Sequence, residues 1–144
     1  MRRVLGWTLV ALVALILAAG VWVRAAPSDP AHWHTDPAAG TAGMNSHVAT
    51  ASVSLPPAQA LAAFDAVALA HPRTTRLSGA PEEGRITYIS RSALWGFPDY
   101  TTVAAVPDGT ATTLVIHARA RFGRSDLGVN AARVGGWLAA LGVR

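Results

Sequence analysis

The chain is 144 residues long and 51% hydrophobic, which is room for one small domain, and it has no cysteine, which excludes disulfides, thiolate metal sites and a cysteine nucleophile. Its 12 basic residues, all arginine, face 8 acids, for a net charge of +4. Three of the arginines flank an N-terminal apolar segment and the other nine nearly balance the acids, so no electrostatic footprint for nucleic acid remains.

Residues 4–23 carry no charge and are dominated by Leu, Val and Ala. A helix of that length rises about 30 Å, the thickness of a bilayer's hydrocarbon core, whereas the apolar part of a signal peptide is usually shorter. Residues 1–24 are therefore read as a transmembrane anchor; the alternative is a signal segment cleaved near Ala25-Ala26. Arg2 and Arg3 before the span, against Arg24 after it, put the N-terminus in the cytoplasm and the domain in the periplasm of a single-pass inner-membrane protein, with Trp22 at the interface.

Residues 25–46, rich in Pro, Gly and Ala and without a period, read as a linker. Within it His32, His34 and Asp36 are weak metal-ligand candidates, because imidazole and carboxylate suit zinc or copper but a mobile linker supplies no fourth ligand. The competing reading packs Trp33 and the histidines on the domain or at the headgroup surface. No metal and no cofactor is assigned.

Residues 47–144 form the predicted extracytoplasmic domain. Ala49, Ala51, Val53 and Leu55 alternate with small polar residues, the period of a half-buried strand. Residues 58–70 follow as a helix with Leu61, Phe64, Val67 and Ala68 on one face. Four strand-like runs come next, at 73–78, 85–92, 100–106 and 112–121, with turns at 79–84 and at Pro107-Asp108-Gly109. A last helix carries Val134, Trp137, Leu138 and Leu141 and stops at Gly142, with Ser125, Asp126 or Asn130 as its cap. The glycine pair Gly135-Gly136 predicts a close approach. The fold class is α+β: an antiparallel sheet of about five strands with two packed helices, preceded by one transmembrane helix.

Period two sets Arg119 and Arg121 on one face of the last strand, about 7 Å apart, as a paired cationic site. The run RSALWGFPDY (residues 91–100) followed by ARARFGRSDLGVNAARV (118–134) resembles the paired signature of the bacterial and plastid family called domain of unknown function 1499. The likeness covers residues 29–141. It matches Arg91, Ser92, Phe97, Pro98, Asp99, Tyr100, Arg121, Gly123, Ser125, Asp126, Gly128, Asn130 and Arg133, and it implies a shared structure without an established activity. The element order also resembles a helix-grip layout of the lipid-transfer kind, by analogy alone.

Three functional classes follow. The favoured one is a non-catalytic structural or interaction domain in which Arg91, Arg121, Arg124 and Arg133 pair with Asp99 and Asp126. The alternative is a binding module for a small amphipathic or lipid-like anionic ligand, with Tyr88, Trp95, Phe97 and Phe122 around the chain and Arg91, Arg119 and Arg121 on the head. A hydrolase ranks last: Ser92, His117 and Asp99, or Ser125, His117 and Asp126, are trios without a nucleophile-elbow sequence.

Overall fold

Side chains alternate above and below an extended chain, so a strand presents two chemically distinct faces. Five such strands make the centre of this molecule, seen in a computed structural model that describes residues 2–143. Met1 and Arg144 lie outside the described residues, as do the side chains of Arg2 and Arg3, on which the predicted charge asymmetry rests. The strands are β1 (Ser46–Val53), β2 (Thr74–Ala80), β3 (Arg85–Arg91), β4 (Pro98–Asp108) and β5 (Ala111–Ala120). They form one antiparallel sheet in the order β1-β5-β4-β3-β2. The helices are α1 (Arg2–Ala25), the short α2 (Pro30–Trp33), α3 (Pro57–Ala70) and α4 (Val129–Ala140). The predicted α+β architecture is the one observed.

Strands β2 to β5 are a meander, and α3 carries the chain from β1 at one edge to β2 at the other. Its stripe of Leu61, Phe64 and Ala68 packs with Val134 and Trp137 of α4 onto one sheet face, against Val53, Ile86, Tyr88, Val103, Leu114, Ile116 and Ala118. Each fully buried large side chain of this set contributes about 1.5–3 kcal/mol. Phe64, Tyr88 and Trp137 meet edge-on or tilted at 5.7–6.1 Å and fill the middle of the core.

Three local expectations need correction. The β4–β5 hairpin turns at Gly109-Thr110, because Asp108 pairs with Ala111 and Pro107 with Thr112. Gly109 takes the positive φ of 61° that a two-residue loop requires, and Pro107 is tolerated in β4 because pairing with β3 stops at Ala104. Gly79 and Ala80 belong to β2 instead of a turn: the register slips between Arg76 and Ser78, and Gly79 (φ 86°) sits where a Cβ would lie 2.0 Å from the Arg85 carbonyl oxygen. Gly135 and Gly136 face open space, with no heavy atom within 4 Å of where a Cβ would stand.

The helix α1 is long and apolar enough to cross a membrane. Most of it is exposed; its last turns bury Gly20 and Val23 against the domain, and Ala26 just after it is buried as well. From there the segment read as a linker lies across the second face of the sheet. It forms α2, capped by Asp29 through the Ala31 amide, and a 3-10 turn at Pro37–Ala39, capped by Asp36 through the Ala38 amide.

Candidate functional site

The register sorts the candidate residues onto two sides of the sheet. His117, Arg119 and Tyr100 face the strap formed by residues 27–40, together with Thr87 and Thr102 of β3 and β4. Tyr100, Thr87 and Thr102 are fully buried there. The Trp33 indole stacks on Tyr100, with ring centroids 3.8 Å apart and planes 9° from parallel. The Arg119 guanidinium lies 5.3 Å from the Trp33 ring centroid.

Both arginines of the predicted pair bind the strap's backbone. Arg119 donates through Nη2 to the Trp33 carbonyl (2.5 Å) and Thr35 Oγ1 (3.2 Å), and through Nη1 to His117 Nδ1 (2.9 Å). Arg121 donates to the Pro27 carbonyl (2.8 Å) and the Tyr100 hydroxyl (3.3 Å), whose oxygen is 2.6 Å from Ser28 Oγ. Further along, Arg85 Nε donates to His34 Nε2 (3.3 Å). A ring nitrogen that accepts from a guanidinium is unprotonated, so His34 carries its hydrogen on Nδ1 and donates to Thr87 Oγ1 (2.8 Å). Thr87 and Thr102 are 2.9 Å apart, and Thr102 donates to the Trp33 carbonyl. Burial first, and the facing arginine second, hold both His34 and His117 below the usual histidine pKa.

On the helix side, Arg133 donates to Asp99 Oδ2 (2.8 Å) and Asn130 Oδ1 (2.8 Å). Burial outweighs Arg133 and keeps the Asp99 carboxyl above its usual range. Asp126 caps α4 from two residues before Gly128, accepting from the Gly128 and Asn130 amides at 3.0 Å each. Burial opposes its charge, but bonds from Asn130 and Gly128 prevail and lower its pKa. Ser125 Oγ accepts from the Leu127 amide, and Ser92 Oγ from the Phe97 amide.

The expected Arg/Asp pairings therefore reduce to Arg133–Asp99. Arg91 donates instead to the Gly96 carbonyl (2.9 Å), Arg121 to the strap, and Arg124 is exposed with no partner among the described residues. Carbonyls win because the loop at 92–97 and the strap bring unpaired backbone oxygens to the arginines, while Asp99 and Asp126 lie across the sheet. The same division separates His117 from Asp99 and Asp126, so neither serine trio converges. Tyr88 is also displaced from its expected place: it lies in the helix-side core, donating to Asp65.

His32 stands edge-on to Trp33, His34 has both ring nitrogens bonded, and Asp36 caps its turn. No group of three metal-ligating side chains occurs among the described residues.

The competing reading that packs Trp33 and the histidines on the domain is met by Trp33 and His34, but sequence reasoning missed the arginines and threonines that hold the strap and the trio of Asp65, Arg76 and Tyr88. Asp65 accepts from Tyr88 at 3.0 Å and pairs with Arg76 through two guanidinium nitrogens. Each had a signal. Asp65 lies on the oily stripe of α3 beside Leu61 and Ala68, where a charge demands a partner. Thr87, Tyr100 and Thr102 put hydroxyls on one face of two adjacent strands, which requires a polar cover.

A single antiparallel sheet with two helices on one face and an arginine-held strap on the other, following an apolar helix, defines a small α+β domain whose polar side chains largely secure its own backbone. The chain belongs to the family described as protein of unknown function (DUF1499), whose model matches residues 23–141. Among solved structures it is similar to protein MLL2253 from Mesorhizobium loti, with a TM-score of 0.49 and 14% identity over 67% of this chain and 93% of that one. It is likewise similar to protein CV1439 from Chromobacterium violaceum, with a TM-score of 0.48 and 18% identity over 67% and 94%. No curated protein matches it in sequence.

Proposed function

We propose that this protein is a single-pass inner-membrane protein, N-terminus cytoplasmic, whose domain works in the periplasm as a non-catalytic structural or interaction module. The observation that carries the reading is the use made of the arginines around the end of α1. Arg24 donates to the Leu94 carbonyl (2.6 Å), Arg91 to Gly96, Arg121 to Pro27 and Arg119 to Trp33. Arg24 thus ties the loop at 92–97 to the end of the apolar helix, Arg91 holds that loop to β3, and Arg119 and Arg121 hold the strap that follows the helix to the end of β5, an arrangement suited to holding a domain at a bilayer surface. The ligand-binding alternative would use Arg91, Arg119 and Arg121, and all three already have acceptors within the chain.

Cell fractionation with reporter fusions tests this. The full chain stays with membranes through alkaline carbonate extraction, and a C-terminal alkaline phosphatase fusion is active while a C-terminal green fluorescent protein fusion, exported unfolded, is dark. Release of a shortened chain into the periplasm would instead mean a cleaved signal. Arg121→Ala lowers the melting temperature without releasing the chain from the membrane.

A further inference from the structure

Among the described residues, five of the nine large apolar side chains exposed outside α1 fall in two segments, the loop at 92–97 and the turn at 125–129. Leu94 is 75% exposed and Leu127 91%, with Trp95, Phe97 and Val129 also open to the surroundings. Phe97 links them, since it lines both a groove against α1 and a cleft shared with Phe122, Leu127 and Val129. Trp22 of α1 meets Phe122 at 5.6 Å between ring centroids, and Phe122 meets Phe97 at 5.9 Å. Leu127 is held outward: its φ is 54°, uncommon for a residue with a Cβ, and the turn is tied by Ser125 and Asp126 accepting from the Leu127 and Gly128 amides. A soluble surface gains nothing from a leucine fixed in that position. A contiguous apolar patch beside a membrane-spanning segment marks a contact.

The depth of the patch names its partner. The groove, about 220 Å³, is walled on one side by Ile16, Ala19, Gly20 and Val23 of the span and on the other by Trp95 and Phe97. The Trp95 ring is 3.6 Å from where a Cβ on Gly20 would stand, and Arg24 holds Leu94 by its carbonyl. Gly20 lies about 6 Å and Ile16 about 12 Å along the helix axis from Arg24. With Arg24 at the headgroups, Trp95 and Phe97 reach the start of the acyl chains, where aromatic rings are at home.

Resting on the anchor reading given above, we infer that the loop at 92–97 and the turn at 125–129 form a foot embedded in the leaflet that α1 leaves, and that the groove between α1 and Trp95 is filled by a phospholipid acyl chain. The other face of the domain, at the β4–β5 hairpin, stays in water.

The absence of cysteine makes the test direct. Single variants Leu94→Cys, Leu127→Cys, Thr110→Cys and Leu9→Cys of the full chain are nitroxide-labelled and reconstituted in phosphatidylethanolamine and phosphatidylglycerol vesicles. Relaxation by oxygen, which partitions into lipid, is compared with relaxation by a water-soluble nickel chelate. The expected result is a several-fold higher oxygen-to-nickel ratio at positions 94 and 127 than at 110, approaching that at 9. Nickel accessibility at 94 and 127 equal to that at 110, with 9 still shielded, overturns the foot and leaves the anchor standing. A water-accessible label at 9 overturns both. Spin–spin broadening at 127 with both relaxers excluded would put a second copy of the chain on the patch, and overturns the lipid assignment.

Discussion

Arg133 and Asp99 show how a single buried pair decides the local chemistry. Their side chains are 8% and 14% exposed, so each charge relies on the other in place of water, and Arg133 also on Asn130. Removing one partner of such a pair commonly costs about 3–5 kcal/mol, because the remaining charge is stranded, whereas removing both can be close to neutral. Arg133→Met should therefore destabilise by about 3 kcal/mol in urea unfolding, and Arg133→Met with Asp99→Asn should recover most of the loss. A neutral Arg133→Met would mean that the pair contributes nothing. A motif containing both residues was visible in the chain, but which acid met which arginine was not. That depended on Asp99 pointing to the helix side while Arg91 and Arg121 point to the strap.

The strap is the element whose attachment depends most on protonation state. His34 accepts from Arg85 and His117 from Arg119, and both bonds require a neutral ring. The groups facing them are Arg85 and Glu83 for His34 and Arg119 for His117; the acid opposes the downward shift of His34 but does not cancel it. Both folded pKa values lie below the unfolded value of about 6.5, so at acidic pH the unfolded chain binds more protons. This stability is complete above about pH 6.5 and is lost as pH falls through the depressed folded values. Unfolding free energy measured against pH should decline across that window, with faster hydrogen exchange in residues 27–40. His34→Gln with His117→Asn should flatten the decline; an unchanged slope would assign it to other groups. Composition alone made this segment look like a linker. Proline and glycine are also what a strap needs to lie flat on a sheet: a Cβ on Gly40 would stand 2.4 Å from His117 Nδ1.

The seam between α1 and the domain sets the posture of the protein as a whole. Gly20 and Val23, with Ala26 just past the helix end, form one side, and the loop at 92–97 the domain side, closed by Arg24 on Leu94. A large side chain at position 20 would push against Trp95, while the sheet and its helix-side core lie elsewhere and should keep their stability. Pulsed electron resonance between labels at Leu9→Cys and Thr110→Cys should give one narrow distance distribution in the otherwise unaltered chain. Added Gly20→Leu should broaden it with little change in melting temperature. An unaltered distribution would show that the seam does not orient the domain.

Periodicity is a local property, so the apolar helix, the five strands and the oily faces of α3 and α4 could be read from the residues alone. The family resemblance also lay in contiguous motifs, and the model match over residues 23–141 bears it out. What needed the tertiary structure was pairing across distance: β1 beside β5, Trp33 on Tyr100, Asp65 with Arg76, and backbone carbonyls of the strap as the acceptors for arginines. A guanidinium binds a carboxylate or a carbonyl with similar geometry, and only the folded chain determines which of the two is within reach.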